Sequence, residues 1–266
     1  MKIGITGCAG RMGRMLIAEI IGRDGAELAA GAERPGHDAV GRDLGVIAGG
    51  EPMGVKITSD PQALFEHSEA VIDFSTPEST TANAEIAAAT GRFFIIGTTG
   101  LEAEHMAAID RAAEKTVIVQ AANMALGVNL LLGLVRRASR VLDTDYDIEI
   151  VEMHHRHKVD APSGTALALG RAAAEGRGVE LDEVAKRGRD GMTGARRPGD
   201  IGFASLRGGD VAGDHTVIFA GPGERIELSH LAADRSVFAR GAVSAALWCA
   251  GRPAGRYSMT DVLGLD

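Results

Sequence analysis

The chain has 266 residues, with 28 lysines and arginines against 36 aspartates and glutamates, and a formal net charge of −8. This charge disfavours nucleic acid as a partner, because a protein that gathers nucleic acid through its overall field is usually basic. The length exceeds the ~100 to 200 residues usual for one domain, so we expect about two domains.

The sequence carries no feature of a secreted or membrane protein. Cys8 and Cys249 lie near opposite ends of the chain and fit neither a zinc motif nor a disulfide scaffold. The first residues become glycine-rich too early for a signal peptide, and no apolar run reaches about 18 residues. We therefore expect a cytoplasmic protein with no membrane partner.

The first 120 residues alternate short β-branched runs with alanine-rich stretches of helical length. The runs predict strands at 2–6, 27–32, 70–74, 93–97 and 117–120. Helices are predicted after Gly10 and at 78–90 and 102–115. This alternation is typical of βαβ units, so we predict an α/β fold with a doubly wound parallel sheet that binds a nucleotide.

The pattern changes in the second half of the chain. A long apolar helix at 128–142 precedes a strand at 146–152, a polar loop and a helix that opens at 163–165. Three strand-like runs then follow without helices between them, at 202–207, 216–220 and 225–230, before a last helix at 236–251. Such strands suit a mixed or antiparallel sheet in a second α+β domain. We predict a dinucleotide-binding domain at 1–125 plus 236–266, and a substrate-binding and oligomerisation domain at 126–235.

A glycine-rich segment, GCAGRMG at residues 7–13, lies between the first strand and the first helix. Glycines there allow a sharp turn and a close approach to a pyrophosphate, which the N–H groups at the helix start receive. Glu33 follows the second strand about 20 residues later, where a ribose-binding acid is expected. Glu33 favours the ribose hydroxyls of NAD, whereas the adjacent Arg34 suits the 2′-phosphate of NADP, and both cofactors stay open.

Two further loops follow predicted strands of the first domain. Gly97–Gly100 and Ala121–Met124 stand at the carboxyl edge, where doubly wound sheets bind ligands. Each is equally compatible with a contact to the nicotinamide and with an ordinary turn that caps the next helix.

The densest polar cluster is EMHHRHKVDAPSGTA, at residues 152–166. Histidine and lysine together supply a general acid and an anchor for carboxylates. Pro162 predicts that the histidine-rich stretch is a loop, and Ser163 is suited to cap the next helix. A metal site at His154, His155 and His157 lacks supporting ligands, so we predict no metal. A solvated polar loop is the remaining alternative.

An arginine-rich stretch follows the second domain's predicted helix. Its basic residues are compatible with a lid over an anionic ligand, but we favour a flexible solvated loop. The residues concerned are Arg187, Arg189, Arg196 and Arg197. The histidines outside the cluster are interpreted as surface or core residues; they are His37, His67, His105, His215 and His230.

The sequence resembles the dihydrodipicolinate reductases of the bacterial lysine and diaminopimelate pathway. The resemblance rests on GITGCAGRMG, ERPGH, IGTTG and above all HHRHKVDAPSGTAL at residues 154–167, and it extends over nearly the whole chain. It implies a Rossmann-type cofactor domain, a substrate domain on a mixed sheet, and homotetramers that assemble through those sheets.

The resemblance also implies residue roles. NADH or NADPH would contact Gly7, Arg11, Met12, Glu33, Arg34, Gly97, Thr99, Ala121 and Met124. We extend this cofactor set to their loop neighbours Cys8, Ala9, Gly10, Gly13, Thr98, Ala122 and Asn123. His154 and Lys158 would be catalytic, as proton donor or acceptor and proton donor, while His155, Gly164 and Thr165 would hold a small dicarboxylate substrate. Thr76 stands where many relatives have an arginine near the cofactor, which weakens any strong preference for NADPH.

The resemblance implies the reduction of 4-hydroxy-tetrahydrodipicolinate by NADH or NADPH. Two alternatives stay open: another two-domain amino-acid dehydrogenase, and a regulator that senses NAD(P)H without turnover. A dehydrogenase would act on an oxo acid plus ammonia. The His154 to Lys158 cluster argues against a sensor, which has no need of a proton donor.

Overall fold

The computed structural model describes residues 1–265. They divide into two compact units: unit 1 comprises Met1–Leu126 and Arg235–Gly264, and unit 2 comprises Gly127–Asp234 and Leu265. Asp266, the last residue of the predicted dinucleotide-binding domain, lies outside the described residues.

Within residues 1–265, the sheet of unit 1 has six parallel strands in the order β2-β1-β3-β4-β5-β11, numbered along the chain. The strands are β1 Lys2–Thr6, β2 Glu27–Ala32, β3 Ala70–Asp73, β4 Phe93–Ile96, β5 Val117–Gln120 and β11 Gly255–Tyr257. The order reverses between β1 and β3, and a doubly wound sheet binds its ligand at such a reversal.

Helices cover both faces of this sheet. They are α1 Arg11–Ile21, α2 Leu44–Ile47, α3 Pro61–Glu66, α4 Pro77–Thr90, α5 Ala103–Ala113, α9 Ser236–Trp248 and α10 Met259–Leu263. On one face Leu16 of α1 and Val243 of α9 pack with Ile5 in a common core, and on the other Phe65 and Ile109 pack with Phe94. Burial on both faces explains the nearly continuous apolar strands, and the predicted doubly wound fold is confirmed.

Unit 2 is built on a mixed sheet with the order β10-β9-β6-β8-β7. Its elements are α6 Leu126–Val141, which begins at the last residue of unit 1, β6 Asp147–His154, α7 Gly164–Arg177, α8 Leu181–Val184, β7 Ala185–Lys186, β8 Ile201–Arg207, β9 Gly213–Gly221 and β10 Glu224–Ala232. The central strand β6 pairs parallel with β8 and antiparallel with β9. Ile150, Leu169 and Phe219 share the buried core, and the predicted mixed sheet is confirmed.

The arginine-rich stretch between β7 and β8 differs from our expectation of a flexible solvated loop. Arg189 donates two hydrogen bonds to Glu149, and Arg196 donates to Asp147 and Glu149. The Arg196 side chain is only 18% exposed. The prediction is wrong for these two arginines because acidic residues on the outer face of β6 pair with them.

Candidate active site

The predicted cofactor residues of unit 1 converge on one edge of its sheet. Gly7, Glu33, Gly97 and Ala121 directly follow β1, β2, β4 and β5, and parallel strands end at the same edge. Backbone hydrogen bonds from Gly97 N to Asp73 O and from Ala121 N to Ile96 O tie two of these loop starts to neighbouring strands.

The glycine-rich loop needs its glycines for two separate reasons. Gly7 has a φ of +63°, in the left-handed region that glycine occupies without strain. A Cβ atom on Gly13 would lie 2.4 Å from the carbonyl oxygens of Gly7 and Cys8, so any side chain there would push α1 off the loop. Glu33 Oε1 accepts a hydrogen bond from Ala9 N at 2.8 Å, which holds the carboxylate beside the loop.

A cavity of about 700 Å³ opens at this edge of unit 1 and is larger than the cavities of about 370 and 570 Å³ in unit 2. Of the predicted residues, Gly7, Ala9, Gly10, Glu33 and Arg34 line the larger cavity. Sequence reasoning missed its other lining residues: Thr6, Ala32, Pro35, His37, Ser59, Pro61, Phe74, Ser75, Ser79 and Asn83, with Thr76 noted only as a departure from relatives. Its size is that of a small-molecule site. Loop N–H groups, a carboxylate and a guanidinium together fit a dinucleotide.

Other predicted cofactor residues lie outside this lining. The side chains of Cys8 and Met124 are buried in the core, 0% and 1% exposed, so they present backbone atoms at most. Thr98 is buried, whereas Arg11, Thr99 and Ala122 are exposed near the strand ends. Gly13 acts through helix packing, as its Cβ clash shows.

A buried carboxylate cross-links the segments at this edge of the unit 1 sheet. Asp73, at the end of β3, is 0% exposed and accepts hydrogen bonds from Thr6 and Thr80, both at 2.5 Å, and from Thr98 at 3.4 Å. These hydroxyls satisfy a group that would be unstable if buried alone. Asp73 thereby links the end of β1, the start of α4 and the loop after β4.

In unit 2 the second cluster is built around His154. We predicted that His154 lies in a loop, but it is the last residue of β6, because that strand stays paired as far as Arg207 of β8. Glu152 lies two residues earlier, so both side chains point to the same face. His154 Nδ1 lies 2.6 Å from Glu152 Oε2, and Arg207 donates to both oxygens of Glu152 at 2.8 and 2.9 Å.

Burial and charge act together on the titration of this cluster. Burial disfavours the ionised form of Glu152, but hydrogen bonds from Arg207, His154 and Ser205 outweigh it and lower its pKa to about 2. Burial lowers the pKa of His154, with Glu152 acting in the opposite direction. Burial and the nearby His154 lower the pKa of His215 to about 4. The core of the cluster is therefore an anionic Glu152 beside neutral imidazoles at neutral pH.

The remaining predicted residues lie around this pair. Lys158 Nζ donates to Asp160 Oδ1 at 2.8 Å. Ser163 caps α7 by accepting from Ala166 N at 3.1 Å, as predicted, which places Gly164 and Thr165 in the first turn of that helix. His155 N donates to Val211 O, so the backbone of His155 is held against the loop between β8 and β9.

Sequence reasoning missed three members of the cluster: the roles of Glu152, Arg207 and His215. His215 is 4% exposed, with Nε2 lying 3.0 Å from Ser163 Oγ and its ring edge-on to that of His154. A signal for Glu152 was available, because two polar residues separated by one position share a face of a strand. Arg207 and His215 carry no such signal, since strand pairing brings them in from 53 and 61 positions beyond His154.

Among residues 1–265, no group of three or more His, Cys, Asp or Glu side chains is arranged to hold a metal ion. In the same part of the chain, no helix combines the length and the apolar character needed to cross a membrane.

Comparison with known proteins agrees with this geometry. Residues 1–124 match the family model for the N-terminus of dihydrodipicolinate reductase, and residues 127–263 match the model for its C-terminus. The chain belongs to the dihydrodipicolinate reductase family. A relative in Ruegeria sp. (strain TM1040), named 4-hydroxy-tetrahydrodipicolinate reductase, is 57% identical over 263 residues, covering 99% of this chain and 98% of that protein. One of the same name in Roseobacter denitrificans is 58% identical over 265 residues, covering 100% and 97%.

Solved structures share the fold at lower identity. The dipicolinate-bound dihydrodipicolinate reductase from Paenisporosarcina sp. TG-14 superposes with a TM-score of 0.77 at 24% identity, over 98% of each chain. An amine dehydrogenase from Mycobacterium smegmatis gives a TM-score of 0.62 at 13% identity, over 97% of this chain and 95% of that one. The two-unit plan is thus shared with dehydrogenases outside the dihydrodipicolinate reductase family, and the family assignment rests on the sequence matches.

Proposed function

We propose that the protein reduces 4-hydroxy-tetrahydrodipicolinate to tetrahydrodipicolinate with NADH or NADPH, in lysine and diaminopimelate biosynthesis. The observation that carries the proposal is the buried Glu152–His154 pair beside Lys158 and the first turn of α7. A reductase of a cyclic dicarboxylate needs a proton donor and an anion site together, and this cluster supplies both types of group.

The catalytic residues we propose are His154 and Lys158. When bound, the nicotinamide would supply a hydride to ring C4 of the unsaturated ring that forms as the 4-hydroxyl group leaves as water. The electron-rich atom left beside C4 then needs a proton, which an imidazolium or an ammonium group delivers. Asp160 holds the Lys158 ammonium by the contact described above, and the carboxyl of Asp160 has a lowered pKa because it accepts that hydrogen bond.

The substrate carboxylates are proposed to bind at His155, Gly164 and Thr165. Gly164 and Thr165 are the first two residues of α7, and N–H groups at a helix start favour anions. α7 has 14 residues, so its dipole is developed at this end. The proposed cofactor residues stay those predicted from the sequence, with Glu33 and Arg34 accommodating NADH and NADPH respectively.

The test is to generate the cyclic substrate in situ with its upstream synthase and follow loss of NADH and NADPH absorbance separately. We expect consumption of reduced cofactor that depends on the synthase. A protein that consumes neither cofactor is not this reductase. Consumption with an oxo acid plus ammonia, but not with the cyclic substrate, would indicate an amino-acid dehydrogenase instead.

We also propose a cytoplasmic homotetramer assembled through the sheets of unit 2. The support is a pair of exposed apolar side chains on the outer face of this sheet, at the end away from its acidic residues: Leu206 and Leu231 are 49% and 70% exposed. Light scattering on the purified protein is expected to give four times the chain mass, and a monomer would contradict the assembly. Two buried free thiols are consistent with a reducing compartment.

A further inference from the structure

The Glu152 carboxylate is buried among hydrogen-bond donors of the protein itself. The side chain is 1% exposed, and besides the bond from Ser205 its two oxygens accept from His154 Nδ1, both terminal nitrogens of Arg207, and the backbone N–H of Ser163 at 3.2 Å. An ionised carboxylate only accepts hydrogen bonds. The proton in the contact with His154 therefore resides on Nδ1 of the ring, and Nε2 is the basic nitrogen of the neutral imidazole.

Nε2 of His154 faces the start of β9, where a glycine leaves space beside it. A Cβ atom on Gly213, the first residue of β9, would lie 3.0 Å from His154 Nε2. Glycine at this position leaves room beside Nε2. The tautomer set by Glu152 thus puts the basic nitrogen on the side where Gly213 leaves space.

Arg207 determines what Glu152 does to the charge of His154. A lone buried carboxylate beside an imidazole would favour the imidazolium. Arg207 meets both carboxylate oxygens, so the Glu152–Arg207 pair is neutral overall. Two further titratable groups act on this cluster: His215, and Lys158, which is paired with Asp160 and also disfavours the imidazolium of His154.

We infer that Glu152 and Arg207 are a positioning pair: Glu152 fixes the tautomer of His154, and Arg207 offsets the carboxylate charge, so that the buried ring stays neutral before substrate binds. The inference rests on the proposed function in one respect: it assumes that His154 is the group whose proton matters. Proton donation needs the imidazolium form of His154. When the substrate binds, its two negative charges favour that form. The ring then takes up a proton on Nε2.

The first experiment needs no substrate. Histidine is labelled with ¹⁵N and ¹³C, the His154 signals are identified by their loss in His154→Gln, and the ring is titrated by NMR. In the wild-type protein we expect two-bond spectra to show Nδ1 protonated and Nε2 unprotonated. In Glu152→Gln the pKa of His154 is expected to fall, and in Arg207→Gln it is expected to rise.

The matched control is Glu149→Gln. Glu149 lies on the same strand and is also bonded by two arginines, but on the opposite face of the sheet. We expect it to leave the His154 titration unchanged. Shifts of the same sign in Glu152→Gln and Arg207→Gln, or a wild-type ring protonated on Nε2, would overturn the inference. The wild-type spectrum decides the tautomer even if a variant fails to fold.

The second experiment uses turnover. The pH dependence of kcat/KM reports the unbound protein and that of kcat the substrate complex, so we expect the His154 limb at higher pH in kcat. Glu152→Gln is expected to lower kcat about 10- to 100-fold, by analogy with losing the carboxylate that orients a metal-binding histidine. If the His154 limb appears at the same pH in kcat and in kcat/KM, substrate binding does not cause His154 to take up a proton. An expected NMR result without any turnover would contradict the proposed function and leave the positioning pair intact.

Discussion

The edge of unit 1 and the cluster of unit 2 are assembled from different materials. At the edge of unit 1, the site is made largely of backbone atoms, and glycines leave room for them. Gly7 is required by its positive φ, and Gly13 because a Cβ atom there would lie 2.4 Å from backbone oxygens. In unit 2, the site is made by ionised side chains from β6 and β8 and by imidazoles from β6 and β9. A single methyl group should therefore damage the first, whereas the second should respond to a change of charge or proton.

The largest effect is expected from loss of the proposed proton donors. His154→Ala or Lys158→Ala is expected to lower kcat by about 10²- to 10⁴-fold, the usual contribution of general acid catalysis. Cofactor binding should stay nearly intact, because both residues belong to unit 2. Steady-state kinetics and fluorescence titration with NADH measure the two quantities.

The controls for these variants are His67→Ala and Lys186→Ala, which alter residues of the same types outside both sites. A variant of His154 or Lys158 with full turnover would remove that residue from the mechanism. A comparable loss of NADH affinity would remove the distinction between the two regions.

The next effect is expected from one added methyl group in unit 1. Gly13→Ala is expected to destabilise the protein by about 1–3 kcal/mol, as overpacking usually does, and to raise the KM for the cofactor. Gly22→Ala, at the other end of α1, is the matched control, because its Cβ atom would lie 3.5 Å from Ala18 O, an ordinary contact. Urea unfolding and cofactor kinetics are the measurements. Equal behaviour of the two variants would show that the loop does not depend on the close approach.

A smaller change, in cofactor preference, is expected from the two charged residues of the unit 1 site, Glu33 and Arg34. Glu33→Ala should reduce the use of NADH relative to NADPH, and Arg34→Ala should do the reverse, each by about tenfold, as for one hydrogen bond to a charged group. The ratio of kcat/KM for the two cofactors measures the change. If both variants move the ratio in the same direction, these residues do not discriminate the ribose from its phosphate.

The smallest effect concerns stability and pH in unit 2. Burial disfavours the ionised form of Glu149, but hydrogen bonds from Arg189 and Arg196 outweigh it and lower the pKa of this carboxyl. A lowered pKa contributes stability above the unfolded value, which is lost as the pH falls through the folded one. Glu149→Gln is thus expected to be less stable by about 1 kcal/mol at pH 7, with the difference shrinking below about pH 4.

Urea unfolding at pH 7 and pH 3 tests this dependence. Glu227→Gln is the control, because Glu227 pairs with Arg225 on exposed surface of the same sheet, 45% and 64% exposed. A difference for Glu149→Gln that does not change with pH would show that the carboxylate charge is not the stabilising feature.

The sequence predicted unit 1 more completely than unit 2. Buried parallel strands give apolar runs that can be read directly, and β1, β2 and β5 have the predicted bounds. The short elements α2, α3, β11 and α10 were missed, because three to six residues show no clear period. The predicted membership of the dihydrodipicolinate reductase family is confirmed, whereas the roles assigned to individual residues stay predictions.

The site in unit 2 was predicted only where it is contiguous. His154, Lys158 and the capped start of α7 lie within one short stretch of sequence, so their proximity could be inferred. The pairing of β6 with β8 and β9 decides that Arg207 and His215 join them, and a register is a property of the folded sheet. The same pairing extends β6 to His154, and the acidic outer face of β6 orders part of the arginine-rich loop.

The reactivity of the two cysteines reports how often unit 1 opens. Both thiols are 0% exposed in its core, and burial raises the pKa of Cys8 and of Cys249 to about 12, so neither reacts while the unit stays closed. Alkylation then requires unit 1 to open, and with a slow reagent its rate follows the population of the open form. A dinucleotide that binds the glycine-rich loop around Cys8 should slow this labelling, which gives an affinity without any turnover.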